Sequence, residues 1–471
     1  MSSSLTAFAC IENVERVISC LYQLNKVEET ESGNIDNVED QWEWEDESHD
    51  NNLENEDEKQ VEEKEVQKNW LQDCCVGVSP CEDVIAFGRE DRLVILTAKW
   101  DRQATSEPKT KFQISWTGQL ALEEGECISS LLCLPLASQH KSSQGFPDWT
   151  CIVAGFTSGY IRFYLQDGSL LLHQLLHEDP VLKLKCQTWQ PGVSHTDFEQ
   201  VEELAILYPT ALVLLDGFSL YQSLRGCRNQ LARAQASGTG ESIKPPPLAY
   251  KKWNFKQQKN ITDIASCGTV TSSLFDHLQT ASFMGGCDAS IRATPPAMSQ
   301  FVTSGTDPFI GIYSALEGGT PPLISEVALE VATKLTSAVL SRLSIASDWL
   351  GWSGSKSDTK QANDKSANKP KVEKGTSLPL RFSISDQRRE GTSITLSPDG
   401  RLAATTDEFG RVMLISMKEG IVLRTWKGYR DAECAWIPVR EDHHDDGSEN
   451  VQSRRTALFL IIYAPRRGIL E

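Results

Sequence analysis

The chain has 471 residues, a hydrophobic content of 39% and a net charge of −19, so it can bury a large core or several smaller ones. The charge is uneven: residues 28–65 hold 18 acidic and two basic residues, which leaves −3 for everything else. A nearly neutral remainder argues against a nucleic-acid surface, which needs a clustered basic footprint, and 13 scattered cysteines read as reduced thiols of a cytoplasmic protein instead of a disulfide framework.

The opening MSSSLTAFACIENVERVISC has no basic n-region, and Glu12 and Glu15 interrupt its apolar run, so it does not read as a signal peptide. No stretch reaches the ~18 uninterrupted apolar residues that a membrane span needs. Residues 1–25 predict a short strand from Leu5 to Cys10 followed by a short helix. Residues 26–68 are acidic and poor in apolar side chains, which predicts a disordered segment. Within it QWEWEDE sets Trp42 and Trp44 among carboxylates. Two readings are open: a charge run of this kind is ordinarily a solvated tail, but such a tail has little use for two large aromatic side chains, so Trp42 and Trp44 are candidate anchors for a partner or for the propeller itself.

Strand signals begin at Trp70 and continue to the last residue, which predicts one domain over 69–471. VIAFGREDRLVILTA places two strands around a charged turn. Trp149–Leu176 reads as apolar strand, Thr157-Ser158-Gly159 turn, alternating strand, Gln166-Asp167-Gly168-Ser169 turn and a further strand. Residues 203–220 repeat the shape with a break at Pro209, and Phe301–Leu316 is another candidate. The clearest unit is 392–429: Ile394 and Leu396 alternate with polar residues, Ser397-Pro398-Asp399-Gly400 turns, Leu402-Ala403-Ala404 is a short buried strand, Asp407-Glu408-Phe409-Gly410 turns again, Val412 and Leu414 alternate with Met413 and Ile415, and Ile421–Trp426 closes the unit. Four short strands in about 40 residues is the spacing of a propeller blade. The fold class expected is therefore all-β: a divergent WD40-like β-propeller of seven blades, cut at its C-terminal end, since LFLIIYA and the following Gly468-Ile469-Leu470 stop within a strand pair.

Two insertions interrupt the pattern. Residues 225–300, with the polar run GTGES, Pro245-Pro246-Pro247 and Pro295-Pro296, are assigned to no element. Residues 323–352 keep helical periodicity, with Val327, Val331, Leu335, Val339 and Trp349 on one face and Trp352 just beyond. Three readings are open for this amphipathic helix: packing on the propeller or a partner helix, lying in a membrane interface through a Ser/Thr-rich polar face, or no stable helix. Residues 353–378 are polar and Lys-rich and predict a disordered loop.

Chemistry-bearing motifs are missing. The chain has no Gly-rich phosphate loop and no G-x-S-x-G elbow. Cys74, Cys75 and Cys81, and His443-His444, lack zinc-ligand spacing. No catalytic, cofactor or metal residue is assigned. An enzyme using the central channel would need a His or carboxylate constellation, and His173, His177 and His277 form none that the spacing reveals.

Several irregular strings complete the reading: GEC at 125–127, DWTCIVAGFTSGYIRFY at 148–164, LLHEDPVLKLKC at 175–186, DGFSLYQSLRGCRNQ at 216–230, PPPLAYKKW at 245–253, WLGW at 349–352, KGYRDA at 427–432 and YAPRRGIL at 463–470. Over 70–471 they resemble the regulatory, non-catalytic subunit of the heterodimeric GTPase-activating complex for Rab proteins. The resemblance implies a catalytic subunit as partner, Rab small GTPases of secretory vesicles as targets, support of nucleotide exchange on a Rab at the endoplasmic reticulum, and links to autophagy. It places the arginine finger of GTP hydrolysis in the partner, so Arg388, Arg389, Arg466 and Arg467 receive no catalytic role. The alternative is a generic propeller scaffold or a membrane-binding module using residues 324–350.

Overall fold

The computed structural model describes residues 9–23, 70–100, 110–123, 125–137, 147–189, 201–237, 248–270, 298–316, 372–440 and 456–471. It opens with a three-residue strand, Ala9–Ile11 (β1), and a helix, Val14–Tyr22 (α1). Of the predicted strand Leu5–Cys10, residues 5–8 lie outside the described residues, and Ala9 and Cys10 are in β1. Asn13 sets the boundary by accepting the Arg16 N–H at the helix N-terminus.

Six antiparallel sheets follow in chain order. The first contains Cys75–Val78 (β2), Val84–Arg89 (β3), Arg92–Trp100 (β4) and Thr110–Gln119 (β5), with β1 added in parallel outside β5. The second contains Ile128–Leu136 (β6), Trp149–Phe156 (β7), Tyr160–Tyr164 (β8) and Leu170–Leu175 (β9). The third contains Lys183–Trp189 (β10), Val201–Leu207 (β11), Ala211–Asp216 (β12) and, after a helix Gly217–Ser237 (α2), Lys251–Phe255 (β13). The fourth is built from Asn260–Val270 (β14), Met298–Thr306 (β15), Ile310–Leu316 (β16) and Leu380–Ile384 (β18). The strand before this last one, Thr376–Leu378 (β17), instead joins the third sheet in parallel beside β13. The fifth is Gly391–Leu396 (β19), Leu402–Asp407 (β20), Arg411–Ser416 (β21) and Ile421–Lys427 (β22). The sixth is Glu433–Arg440 (β23), Thr456–Ala464 (β24) and Ile469–Leu470 (β25).

The first strand of each sheet packs beside that of the sheet before it: β6 on β2, β10 on β6, β14 on β10, β19 on β14 and β23 on β19. This is the blade-by-blade order of a β-propeller. The described residues form six blades, not the seven expected, and the sixth has three strands. Apolar clusters fill each joint. Val84, Ala86, Leu93 and Ile95 meet Ile128, Leu131, Ile152 and Ala154 between the first two blades, and Ala265, Val302 and Ile312 meet Ile394, Ala403 and Ile415 between the fourth and fifth. The far side of the first blade is covered differently. There α1 lays Val17, Ile18 and Leu21, together with Trp70, over Phe87, Val94 and Phe112.

Three sequence expectations change. Residues 225–300 contain α2 and strands of two blades where no blade was assigned, because long connections separate strands that pair in space. Leu220 lies in α2 instead of continuing the strand of 203–220. Residues 376–378, within the expected loop, form β17. In the clearest blade, both faces of β20 and β21 are largely buried, while Ile421, Val422 and Leu423 of β22 are exposed.

The tight turns fix the blade geometry. Gly159 sits between β7 and β8 at φ +86°, and a Cβ there would lie 1.9 Å from the His177 carbonyl oxygen. Gly159→Ala combines a left-handed backbone with a clash against backbone, so it is expected to cost about 2–4 kcal/mol. Thermal unfolding checks this, and a shift equivalent to under about 1 kcal/mol would contradict the tight approach.

Candidate interaction surfaces

The longest described helix, α2, stands on the outside of the third blade. Asp216 starts it: its carboxylate accepts the Ser219 N–H at 2.9 Å and the Ser219 hydroxyl at 2.8 Å, which satisfies free donors of the first turn. Leu220, Leu224 and Cys227 recur at helical spacing and are buried, packing toward β9, β11 and β12. Arg228 lies over the Trp149 ring, 5.0 Å from its centroid, a cation–π contact that ties the helix to the second blade. The opposite side presents Phe218, Gln222, Arg225, Asn229 and Arg233 to solvent. No Asp or Glu occurs between Gly217 and Ser237.

Where the inner strands converge, the carboxylate of Asp263 on β14 is nearly fully buried and takes Lys185 Nζ at 2.5 Å and Lys183 Nζ at 3.2 Å. It also accepts the Ile394 N–H at 2.9 Å. Lys183 and Lys185 flank Leu184 on β10, so period-two alternation sends both ammonium groups to one side. Lys185 further donates to the Ile264 carbonyl at 2.9 Å. Three blades are thereby joined through one carboxylate. Burial lowers the Lys185 pKa, and the charge of Asp263 opposes that shift. Lys185 also reaches the Ile394 carbonyl, so its three donors all meet acceptors within the protein, the pattern of a structural joint.

A second polar joint holds the turns of the second blade. Glu126 is buried, pairs with Arg162 at 2.6 Å and accepts the Ser158 hydroxyl. Arg162 also reaches the Ala121 carbonyl at 2.9 Å. Beside it an open cleft of about 720 Å³ is lined by Gln23, Glu90, Asp91, Gln119 and Glu123. His177 Nε2 meets the Thr210 hydroxyl at 3.3 Å and lies 3.4 Å from Asp179; burial lowers the His177 pKa, and because hydroxyl and carboxylate share one ring nitrogen, with Thr210 bonded directly to Asp179, the three do not form a Ser-His-Asp type relay. No group of His, Cys, Asp or Glu among the described residues could hold a metal ion, and no described helix is long and apolar enough to cross a membrane.

The outer edges differ between blades. β1 and β17 extend the first and third blades, whereas β22 is an edge strand with Ile421, Val422 and Leu423 exposed. Phe382 of the neighbouring blade sits against Gly420 and is also exposed, so an apolar patch spans the two edges.

The candidate anchors Trp42 and Trp44, and Val327, Val331, Leu335, Val339, Trp349 and Trp352, lie outside the described residues. The structure brings forward α2, which the sequence reading kept only as a string within the resemblance. Its signal was present in the Asp216 cap followed by Leu220, Leu224, Cys227 and Leu231. Of the four arginines given no catalytic role, three have side-chain partners: Arg466 bonds Asp431 at 2.5 Å, Arg467 lies over Tyr429, and Arg389 pairs with Asp386 at 2.9 Å.

Comparison with known proteins gives these surfaces a setting. A Caenorhabditis elegans protein named "Rab3 GTPase-activating protein regulatory subunit" is 38% identical over 89 residues, which are 19% of this chain and 6% of that protein; the match thus spans a small part of its length. Among solved structures, a chain of the "Mitotic Checkpoint Complex" aligns with a TM-score of 0.31 and 12% identity over 75% of this chain and 65% of its own. Sqt1 from Chaetomium thermophilum aligns with a TM-score of 0.35 and 11% identity over 75% and 58%. These structural likenesses are too weak to carry an argument. Residues 70–471, by contrast, match throughout the family described as "Rab3 GTPase-activating protein regulatory subunit N-terminus", and the chain belongs to that family.

Proposed function

We propose that this chain is the scaffold half of a GTPase-activating heterodimer, holding a catalytic subunit and orienting a Rab GTPase toward it. The observation that carries the proposal is the family match across the whole blade array, on an architecture whose outer edges and helix present surfaces for docking. Catalysis in this reading comes from positioning, with the charge-stabilising arginine supplied by the partner. The same heterodimer supports nucleotide exchange on a Rab at the endoplasmic reticulum. The periodicity of 324–350 gives a means of peripheral membrane contact, through Val327, Val331, Leu335, Val339, Trp349 and Trp352. Trp42 and Trp44 serve as anchors in the acidic segment.

The test is single-turnover GTP hydrolysis on a vesicle Rab by the catalytic subunit, with and without this chain. An increase on the order of tenfold is expected from positioning. Arg466→Ala and Arg467→Ala are expected to leave that increase within about twofold, whereas loss of a finger would cost about 10³-fold or more. Neither association nor a rate change would reject the scaffold reading. Flotation with small vesicles tests the membrane contact, and no loss on Trp349→Ala/Trp352→Ala would remove it.

A further inference from the structure

We propose that the solvent face of α2 binds the chain's own acidic segment, residues 28–65, within one molecule. The helix carries Arg225, Arg228 and Arg233 and no carboxylate. Arg228 stacks on Trp149, while Arg225 and Arg233 have no ion pair among the described residues. The solvent face of α2 thus carries two positive charges, Arg225 and Arg233, with no carboxylate on the helix, on a body of net charge close to zero. At its N-terminal end Phe218 stands 57% exposed.

The occupant follows from charge and from where the chain leaves the fold. Residues 28–65 carry a net −16 and place Trp42 and Trp44 among carboxylates, so the segment offers acidic groups for guanidinium forks and a large ring for Phe218. Its connections are anchored on the first blade. The Tyr22 hydroxyl donates to the Trp70 carbonyl at 2.9 Å, so residues 24–69 leave and return at one point. Half of that 46-residue span reaches roughly 75 Å when extended, more than the approximate 50 Å width of a body of this size. Tethering gives the segment an effective concentration in the millimolar range, which lets modest exposed ion pairs act together. A lipid surface is the weaker occupant, since the solvent face of α2 presents a single large apolar side chain.

The experiment uses the full chain and a Glu-specific protease that cuts within residues 28–65. In Arg225→Glu/Arg233→Glu the segment is expected to be cut about tenfold faster than in the parent at low salt, with the difference lost at about 0.5 M salt. In Arg225→Lys/Arg233→Lys cutting stays near the parental rate, and carbodiimide coupling of amines to carboxylates links positions 225 and 233 to residues 28–65 at a yield independent of protein concentration. These positions face solvent, and far-ultraviolet circular dichroism confirms that the variants fold. Equal cutting rates, coupling only between molecules, or weakened binding to anionic vesicles without a change in cutting would each overturn the proposal. It does not depend on the GTPase assay, so either reading can fail alone.

Discussion

Replacing Asp263 with alanine is expected to lower the unfolding free energy by about 3–5 kcal/mol. The carboxylate is nearly fully buried and neutralises two ammonium groups, Lys185 at 2.5 Å and Lys183 at 3.2 Å. Removing it leaves the partly buried Lys185 cation with carbonyl partners alone and strips the Ile394 N–H of its acceptor. Three blades lose their shared tie at once. Lys185→Met is expected to cost less, about 1–2 kcal/mol, because Lys183 still balances the carboxylate. Urea melts of the two variants and the parent decide the matter. A loss of less than about 1 kcal/mol for Asp263→Ala, the range of exposed pairs, would mean that the joint is incidental.

Raising the pH from 9 to 10 under reducing conditions is expected to cost about 2 kcal/mol through Cys133 and Cys151 alone. Both thiols are buried, 1% and 0% exposed, and burial pushes the Cys133 pKa up to about 12 and that of Cys151 up as well. Below an ordinary value of 9.0 both folded and unfolded chains keep these protons, and stability does not respond. Above it the unfolded chain ionises while the folded one cannot, so stability falls as pH rises, until the folded-state pKa of about 12 is passed for Cys133. Cys267 and Cys434, raised to about 12 and about 11, act in the same direction. Lys185 and Lys252, whose lowered pKa values work in the opposite sense, are two groups against several. Denaturation midpoints at pH 8 and pH 10 measure the slope. Cys133→Ala/Cys151→Ala is expected to flatten it, and an unchanged slope would place the titrating groups elsewhere.

The acidic segment and the exposed face of α2 show how local and averaged signals diverge. The −3 net charge outside residues 28–65 correctly describes the body as nearly neutral, yet it hides three arginines concentrated on one helix. A net charge averages over position, whereas a docking surface depends on which charges the fold leaves unpaired. Asp216, Leu220, Leu224 and Leu231 carried the helical signal, but the preceding run of strands masked it. The joint around Asp263 was less accessible still. Lys185 and Asp263 are 78 positions apart and Ile394 a further 131, and no spacing rule connects them.

Blade composition was legible because it is local. Alternation in Ile394–Leu396, the turn at Ser397–Gly400 and the short buried strand at Leu402–Ala404 follow from side-chain periodicity and turn geometry within 40 residues, and they held, the strand running on to Asp407. The family strings were likewise readable residue by residue. The number of blades, the parallel addition of β1 and β17 to distant sheets, and the covering of the first blade by α1 were settled by tertiary structure. Each depends on pairing between remote segments, where backbone hydrogen bonds and apolar faces choose among many partners of similar local character. The sequence alone therefore determined that this protein is a propeller of a Rab-regulator family. Only the fold decided which of its charges are spent inside the joints and which remain on the surface.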